Sequence, residues 1–240
     1  MNLTEVKNSG TVQQDQPELE VEFDFDPTLP KRNKFLLHTY LFFKRFFDIV
    51  ASALGLVLLS PVFLAIALAI KIDDGGRVFY SHERIGMNGK PIKIFKYRSM
   101  VRGADQLEEQ LSPEQLKQYE TEYKVDNDPR ITRVGAFLRK SSLDELPQLL
   151  NILLGTLTIV GPRPVVEREL LMYGKAKDKF LSVKPGLTGY WQAYARNNIT
   201  YVDGARQKME LYYIDNRSFW FDVKIFFKTF VSVVKRTGAS

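Results

Sequence analysis

The sequence predicts an α+β protein. An N-terminal re-entrant membrane helix, broken once, is followed by a mainly helical cytosolic domain with a small β-hairpin and interfacial amphipathic helices. Three observations predict it. Residues 49–70 contain no charge, and Ser60-Pro61 interrupts that run midway. On either side of Asn88-Gly89 the apolar period is two, the pattern of paired strands joined by a tight turn. In residues 219–236, Lys224, Lys228, Ser232 and Lys235 recur at helical spacing among aromatic and aliphatic side chains.

Residues 1–34 form the first predicted unit, a disordered acidic tail. Residues 1–30 hold seven acids and one lysine, so the remainder carries a net +12 within a total of +6. Within this tail, residues 18–26 alternate acidic and apolar side chains, which also suits an extended strand or a docking peptide. No signal peptide is expected, because the N-terminus is neither basic nor apolar.

The second unit, residues 35–76, holds the apolar run, whose length is near the roughly 20 residues of a spanning helix. Proline inside a helix removes a backbone hydrogen bond and kinks it. Lys44 and Arg45 precede the run, and Lys71 and Arg77 follow it. Basic residues favour the cytoplasmic side, so a helix that dips in, breaks at Ser60-Pro61 and returns satisfies both flanks. A spanning helix and a buried helix of a soluble core are the alternatives.

The third unit is residues 77–240. Strands are predicted over 77–85 and 92–100. In the second, Lys96 and Arg98 share a face with Ile92 and Ile94, opposite Phe95 and Tyr97; that face suits phosphate or solvent equally. Polar helices follow over 104–123. Next comes Arg139-Lys140-Ser141-Ser142-Leu143-Asp144-Glu145-Leu146-Pro147-Gln148. Ser142 with Glu145 three residues later has the form of a capping box. Asp144 and Glu145 would then lie in a first helical turn, where the macrodipole favours negative charge. Pro147, better suited to a first helical position, offers an alternative start. Adjacent helical residues diverge by about 100°, so the two carboxylates suit different tasks, one attacking or binding metal and the other moving a proton. Capping alone is the plainer reading. In Gly161-Pro162-Arg163-Pro164 two prolines stiffen the backbone around an arginine, as a turn or as a phosphate contact. Residues 184–189 read as another turn. The helix over 219–236 suits a bilayer interface or ordinary core packing.

Composition narrows the chemistry. The 240 residues, 45% apolar and 26% charged, describe a folded protein with a sizeable core. No cysteine is present, which excludes disulfides, thiolate metal sites and cysteine nucleophiles. The two histidines, His38 and His82, do not adjoin a nucleophile elbow. Any metal would be a hard cation on oxygen ligands. A basic body favours anionic partners; nucleic acid is a rival that leaves residues 46–70 without a role.

Several motifs occur in one order: Lys44-Arg45-Phe46-Phe47-Asp48, Ser60-Pro61, Arg84-Ile85-Gly86, Phe95-Lys96-Tyr97-Arg98-Ser99-Met100, Asp128-Pro129-Arg130-Ile131-Thr132, Ser142-Leu143-Asp144-Glu145-Leu146-Pro147-Gln148, Gly161-Pro162-Arg163-Pro164 and Pro185-Gly186-Leu187-Thr188-Gly189. By these the chain resembles the bacterial sugar transferases of the monotopic phosphoglycosyl transferase family, over about residues 40–240. Tyr194-Ala195-Arg196-Asn197 stands where many members have Ser-Gly-Arg-Asn, keeping the arginine and asparagine. Larger members carry more at the N-terminus, so this chain looks like the minimal catalytic form.

The resemblance implies transfer of a sugar 1-phosphate from a nucleotide sugar, with UDP the expected nucleotide, to undecaprenyl phosphate. This would be the first membrane step in exopolysaccharide, capsule, O-antigen or glycoconjugate synthesis. Asp144 would be the nucleophile that carries the phosphosugar and a ligand of Mg²⁺, and Glu145 the acid/base or acceptor-positioning group. Arg139, Arg163 and Arg196, helped by Lys96 and Arg98, would hold phosphate oxygens. The implied location is the inner (plasma) membrane, with residues 77–240 as the catalytic domain on its cytoplasmic face. Membrane lipid and downstream glycosyltransferases are the implied partners, with no nucleic acid. A non-catalytic membrane scaffold in a polysaccharide assembly complex is the alternative.

Overall fold

The computed structural model describes residues 34–122, 125–195 and 204–234. Arg196 and residues 1–33 of the predicted tail over 1–34 lie outside them, and Lys34 is already helical. Helix α1 (Lys34–Leu58) begins well before the apolar run, and α2 (Ser60–Asp74) follows at a bend of 60°. Among the described residues no single helix is long and apolar enough to cross a membrane; the bent pair passes that test together. The break is local chemistry. Pro61 has no N–H for the Val57 carbonyl, and the Ser60 hydroxyl donates to that carbonyl instead, at 2.8 Å.

The basic flank of this arm is committed to the body. Arg45 donates to the carbonyls of Ile152 and Leu153 at 2.6 and 2.8 Å, satisfying the end of α6 (Gln148–Leu154). Lys44 pairs with Asp222 and donates to the Val160 carbonyl at 2.7 Å. Buried Asp48 accepts from Thr158 Oγ1 and from the Ile159 N–H at 2.8 and 2.9 Å. One turn and a half of α1 thus holds three separate segments of the body.

The hairpin forms as its turn chemistry demands. Strands β1 (Phe79–Ile85) and β2 (Pro91–Tyr97) pair antiparallel from Phe79 opposite Tyr97 to Ile85 opposite Pro91. Asn88 and Gly89 both take positive φ, at 60° and 74°, between them. Helices α3 (Leu107–Gln110) and α4 (Pro113–Glu122) correspond to the predicted polar helices. After α5 (Arg133–Ser141) and α6 comes a second sheet of two short strands, β3 (Thr158–Val160) and β4 (Gly186–Thr188). They run parallel with α7 (Glu167–Leu171) and α8 (Lys177–Leu181) between them. Residues 184–189 are therefore not only a turn: Gly186–Thr188 is a strand. Gly186 lies so close to Gly161 that a Cβ there would sit 2.2 Å from the Gly161 nitrogen.

Helices α9 (Tyr190–Tyr194), α10 (Ala205–Asn216) and α11 (Phe219–Val234) complete the chain. The main core gathers Val165, Tyr173, Phe180, Tyr213 and Ile225. A second cluster joins Ile66 and Ile70 of α2 to Tyr97 and Leu138, and a third joins Ile94 to Ile152 and Leu157. On α11, Ile225 is fully buried while Trp220, Phe227 and Phe230 are exposed. The same helix thus packs one stripe into the core and leaves an aromatic face uncovered.

Helix α5 meets the end of the hairpin at Ser99. The Thr132 side chain caps α5 by accepting from the Gly135 N–H at 2.9 Å, and the Thr132 N–H donates to the Ser99 carbonyl at 3.2 Å. A Cβ on Gly135 would sit 2.0 Å from that carbonyl oxygen. Helix propensity alone favours alanine over glycine by about 1 kcal/mol. Here the sign reverses: Gly135→Ala is expected to destabilise by about 1–3 kcal/mol, read as a lowered Tm in a thermal melt. An unchanged or raised Tm would show that α5 does not pack on Ser99 this closely.

Candidate active site

The two adjacent acids owe their placement to an interrupted helix. Ser142 adopts positive φ (57°), and its N–H returns to the carbonyls of Leu138 and Arg139. It ends α5; its side chain makes no capping bond to the next turn, so the predicted capping box is not formed. Leu143–Glu145 is a single 3₁₀ turn, and regular helix resumes only after Pro147, as one of the two sequence readings had it. In a 3₁₀ turn residues three apart eclipse. Leu143 and Leu146 accordingly pack together against the cluster of Ile66, Ile70, Tyr97 and Leu138. Asp144 and Glu145, between them, are left to face a broad cleft.

Lys96, from β2, meets both acids. Its Nζ lies 2.8 Å from Glu145 Oε1 and 3.8 Å from Asp144 Oδ2. Burial pushes the Asp144 carboxyl above the ordinary aspartate range. The Lys96 and Arg139 charges pull it back, while Glu145 raises it further. Arg139 is itself anchored, its Nε donating to Ser99 Oγ at 2.9 Å.

Arg163 lines the same cleft from the stiff loop between β3 and α7. Its N–H donates to Glu210 Oε1 at 3.2 Å. The structure therefore brings Asp144, Glu145, Lys96, Arg139 and Arg163 around one cleft. Arg98 behaves differently: it forms an ion pair with Asp74 at the end of α2, so its charge is taken up in holding the arm to the hairpin. Ser60 and Pro61 lie at the bend between α1 and α2, not at the cleft.

Three groups near the cleft have no role assigned from sequence, although Asp128 and Arg130 stand in one of the quoted motifs. Asp128 and Arg130 form a buried two-pronged pair, at 2.8 and 2.6 Å. Burial raises the Asp128 carboxyl, but the Arg130 hydrogen bonds outweigh it and hold Asp128 below its ordinary value. Arg206 lies 4.1 Å over the Trp191 ring. Glu210 is fully buried, and burial pushes its carboxyl up to about 7 against the Arg206 charge and the Arg163 N–H. The four-residue spacing of Arg206 and Glu210 is the one sequence signal for this pair, and it reads equally as a surface ion pair.

Among the described residues no group of three or more His, Asp and Glu side chains is placed to hold a metal. Mg²⁺ commonly takes one or two carboxylates and completes its octahedron with water and substrate phosphate. Asp144, the ligand that the resemblance implies, would supply one such carboxylate.

The chain is similar to known proteins over most of its length. The family model described as "Bacterial sugar transferase" matches residues 39–236. The exopolysaccharide production protein ExoY of Rhizobium meliloti (strain 1021) is 45% identical over 199 residues, covering 82% of this chain and 87% of that protein. The undecaprenyl-phosphate galactose phosphotransferase of Salmonella typhimurium is 44% identical over 82% of this chain and 42% of its own length. The UDP-glucose:undecaprenyl-phosphate glucose-1-phosphate transferase of Escherichia coli is 42% identical over 78% of this chain and 39% of its own length. The chain thus spans most of ExoY and about two-fifths of the two longer enzymes. Matched over most of its length by this model and these relatives, the chain belongs to the bacterial sugar transferase family.

Proposed function

We propose that this chain transfers a sugar 1-phosphate from a UDP-sugar to undecaprenyl phosphate, through a phosphosugar carried on Asp144. The observation that supports it is the pair of adjacent carboxylates on the turn at residues 143–145, facing a cleft lined by Lys96, Arg139 and Arg163. An Asp144 oxygen attacks the β-phosphorus of the donor; the bond from that phosphorus to the bridging oxygen breaks, and UMP leaves with the electron pair. An oxygen of the lipid phosphate then attacks the same phosphorus and frees the Asp144 carboxylate. Lys96 holds both carboxylates in place, and Arg139 and Arg163 grip phosphate oxygens, a task for which the planar guanidinium fork is suited. Arg196 is proposed for the same task on sequence grounds. Glu145 orients the acceptor phosphate or takes its proton. When bound, Mg²⁺ held by Asp144 would neutralise diphosphate charge.

The arm sets the depth of the reaction. α1 and α2 present exposed Phe42, Phe46, Leu54, Leu58, Leu64 and Leu68, and α11 adds exposed Trp220 and Phe227. Such surfaces suit burial in one leaflet, with the helix break at Ser60 and Pro61 turning the chain back. The cleft would then stand at head-group level on the cytoplasmic face of the plasma membrane. Transfer is tested by incubating detergent-solubilised full chain with UDP-sugars and undecaprenyl phosphate and following UMP. Release that needs a UDP-sugar and yields a lipid-linked sugar diphosphate is expected; no release from any nucleotide sugar would refute the reading.

The nucleophile must be ionised, and its pKa is raised. Activity should therefore be present above that raised pKa and be lost as pH falls through it, on an acid limb above the ordinary aspartate value of 3.8. Lys96 lowers this pKa and Glu145 raises it. Lys96→Met should thus move the acid limb of kcat/KM to higher pH, and Glu145→Gln to lower pH. Shifts of the same sign in both variants would contradict the assignment.

A further inference from the structure

One face of the hairpin is covered by the core only in part. By register Tyr80 stands opposite Lys96, His82 opposite Ile94 and Arg84 opposite Ile92, all on one face of the sheet. Ile94 on this face is buried against Ile152 and Leu157, while Tyr97 on the other face is buried against Ile66 and Ile70 of α2. On the β1 half, however, Tyr80 is 45% exposed and His82 is also exposed. Both line the cleft that holds Asp144, Glu145 and Arg163. Charged contacts bound the strip at each end. Lys96 reaches the two acids at 2.8 and 3.8 Å, and Arg84 pairs with Glu169 of α7 at 3.3 Å. Between them the rings of Tyr80 and His82 lie 6.4 Å apart, centre to centre.

We propose that this strip, Tyr80 and His82, is the wall on which the donor's hexose rests, and that these two side chains set which sugar is accepted. The inference builds on the transfer reaction proposed above. In an in-line displacement the attacking oxygen and the leaving nucleotide stand on opposite sides of phosphorus. The sugar, bonded to that same phosphorus, must project sideways. Lys96 puts this face of the hairpin beside Asp144, and Tyr80 is the direct cross-strand neighbour of Lys96. From Tyr80 to His82 is two residues, ~7 Å along a strand, a span that suits one pyranose with its hydroxyls.

The chemistry of the two side chains suits the same ligand. Each offers a flat ring for the apolar face of a sugar and a polar edge for its hydroxyls. Burial, then the Arg84 and Lys96 charges, hold the His82 imidazole below its ordinary value. It therefore stays neutral near pH 7, with one ring nitrogen donating and the other accepting. A sugar hydroxyl can answer both.

The test uses solubilised full chain with UDP-glucose, UDP-galactose and UDP-N-acetylglucosamine, reading kcat/KM from UMP release and, separately, inhibition by UMP. In Tyr80→Ala and His82→Ala the ratio of kcat/KM between donors should change by about tenfold or more. Inhibition by UMP should change less than about twofold, because UMP lacks the sugar. The milder Tyr80→Phe and His82→Gln variants keep the ring or a polar edge and guard against loss of fold; at least one should shift the donor ratio in the same direction. Donor ratios unchanged in all four variants would overturn the proposal. So would UMP inhibition weakening in step with kcat/KM, which would put the nucleoside on this wall. Unchanged ratios alongside normal UMP release overturn this inference alone. No UMP release from any donor by the unmodified chain overturns the transfer reaction, and this inference with it.

Discussion

Asp144→Asn is expected to lower UMP release by at least about 10⁴-fold, equivalent to about 5.5 kcal/mol of barrier. Asparagine is nearly the same shape, so the turn at residues 143–145, built on the packing of Leu143 and Leu146, should survive. What is lost is the charged oxygen. A neutral amide is a poor nucleophile towards phosphorus and cannot form the same acyl phosphate. Glu145→Gln should be milder, because it leaves the proposed nucleophile in place and removes the proposed acid/base or positioning group, a contribution of about 10²–10⁴. Asp144→Asn with near-normal turnover, at unchanged protein stability, would show that the adjacent acids serve only the local fold.

The second large effect concerns the join between the arm and the body. Asp222 of α11 accepts from three groups: Lys44 and Tyr40 of α1, and Tyr213 of α10. Asp222→Ala removes the shared acceptor and leaves the Lys44 ammonium, whose side chain is 15% exposed, with the neutral Val160 carbonyl and Tyr213 hydroxyl as its partners. Removing one partner of such a buried pair costs about 3–5 kcal/mol. In a thermal melt of the solubilised protein that corresponds to a fall on the order of 10 °C. The double variant Lys44→Met, Asp222→Leu should recover part of the loss, since no unpaired charge remains. A fall of less than about 2 °C for Asp222→Ala would show that α1 is not held here.

Legibility in the sequence followed the range of the interaction. The hairpin and the helix break were readable because Asn88-Gly89 and Ser60-Pro61 act through their own backbones. The parallel pairing of β3 with β4 was not, because it joins Thr158 to Gly186 across two intervening helices. Nothing local separates that strand from the turn that Pro185 and Gly186 suggest. Ser142 misled for a related reason: a serine before two acids fits a helix start, but the preceding helix had already claimed its backbone. Lys44 and Arg45, read as membrane-flanking charges, are committed to Asp222 and to the end of α6.

The candidate site divides the same way. Asp144 and Glu145 stand out as neighbours in sequence, and Arg163 by its two prolines. Lys96 as their shared counter-charge required the fold, as did Glu210 behind the Arg163 loop. Arg98 shows the limit of face counting: it follows the Lys96 strand in sequence, yet its partner is Asp74.

A phosphosugar held on Asp144 is detectable by mass spectrometry of the full chain, mixed with a UDP-sugar, acid-quenched without acceptor lipid and digested. A sugar-phosphate mass increment on the peptide carrying Asp144, discharged by prior addition of undecaprenyl phosphate and missing in Asp144→Asn, is the predicted result. An increment on another residue, or lipid-linked product formed with no increment at any quench time, would contradict it.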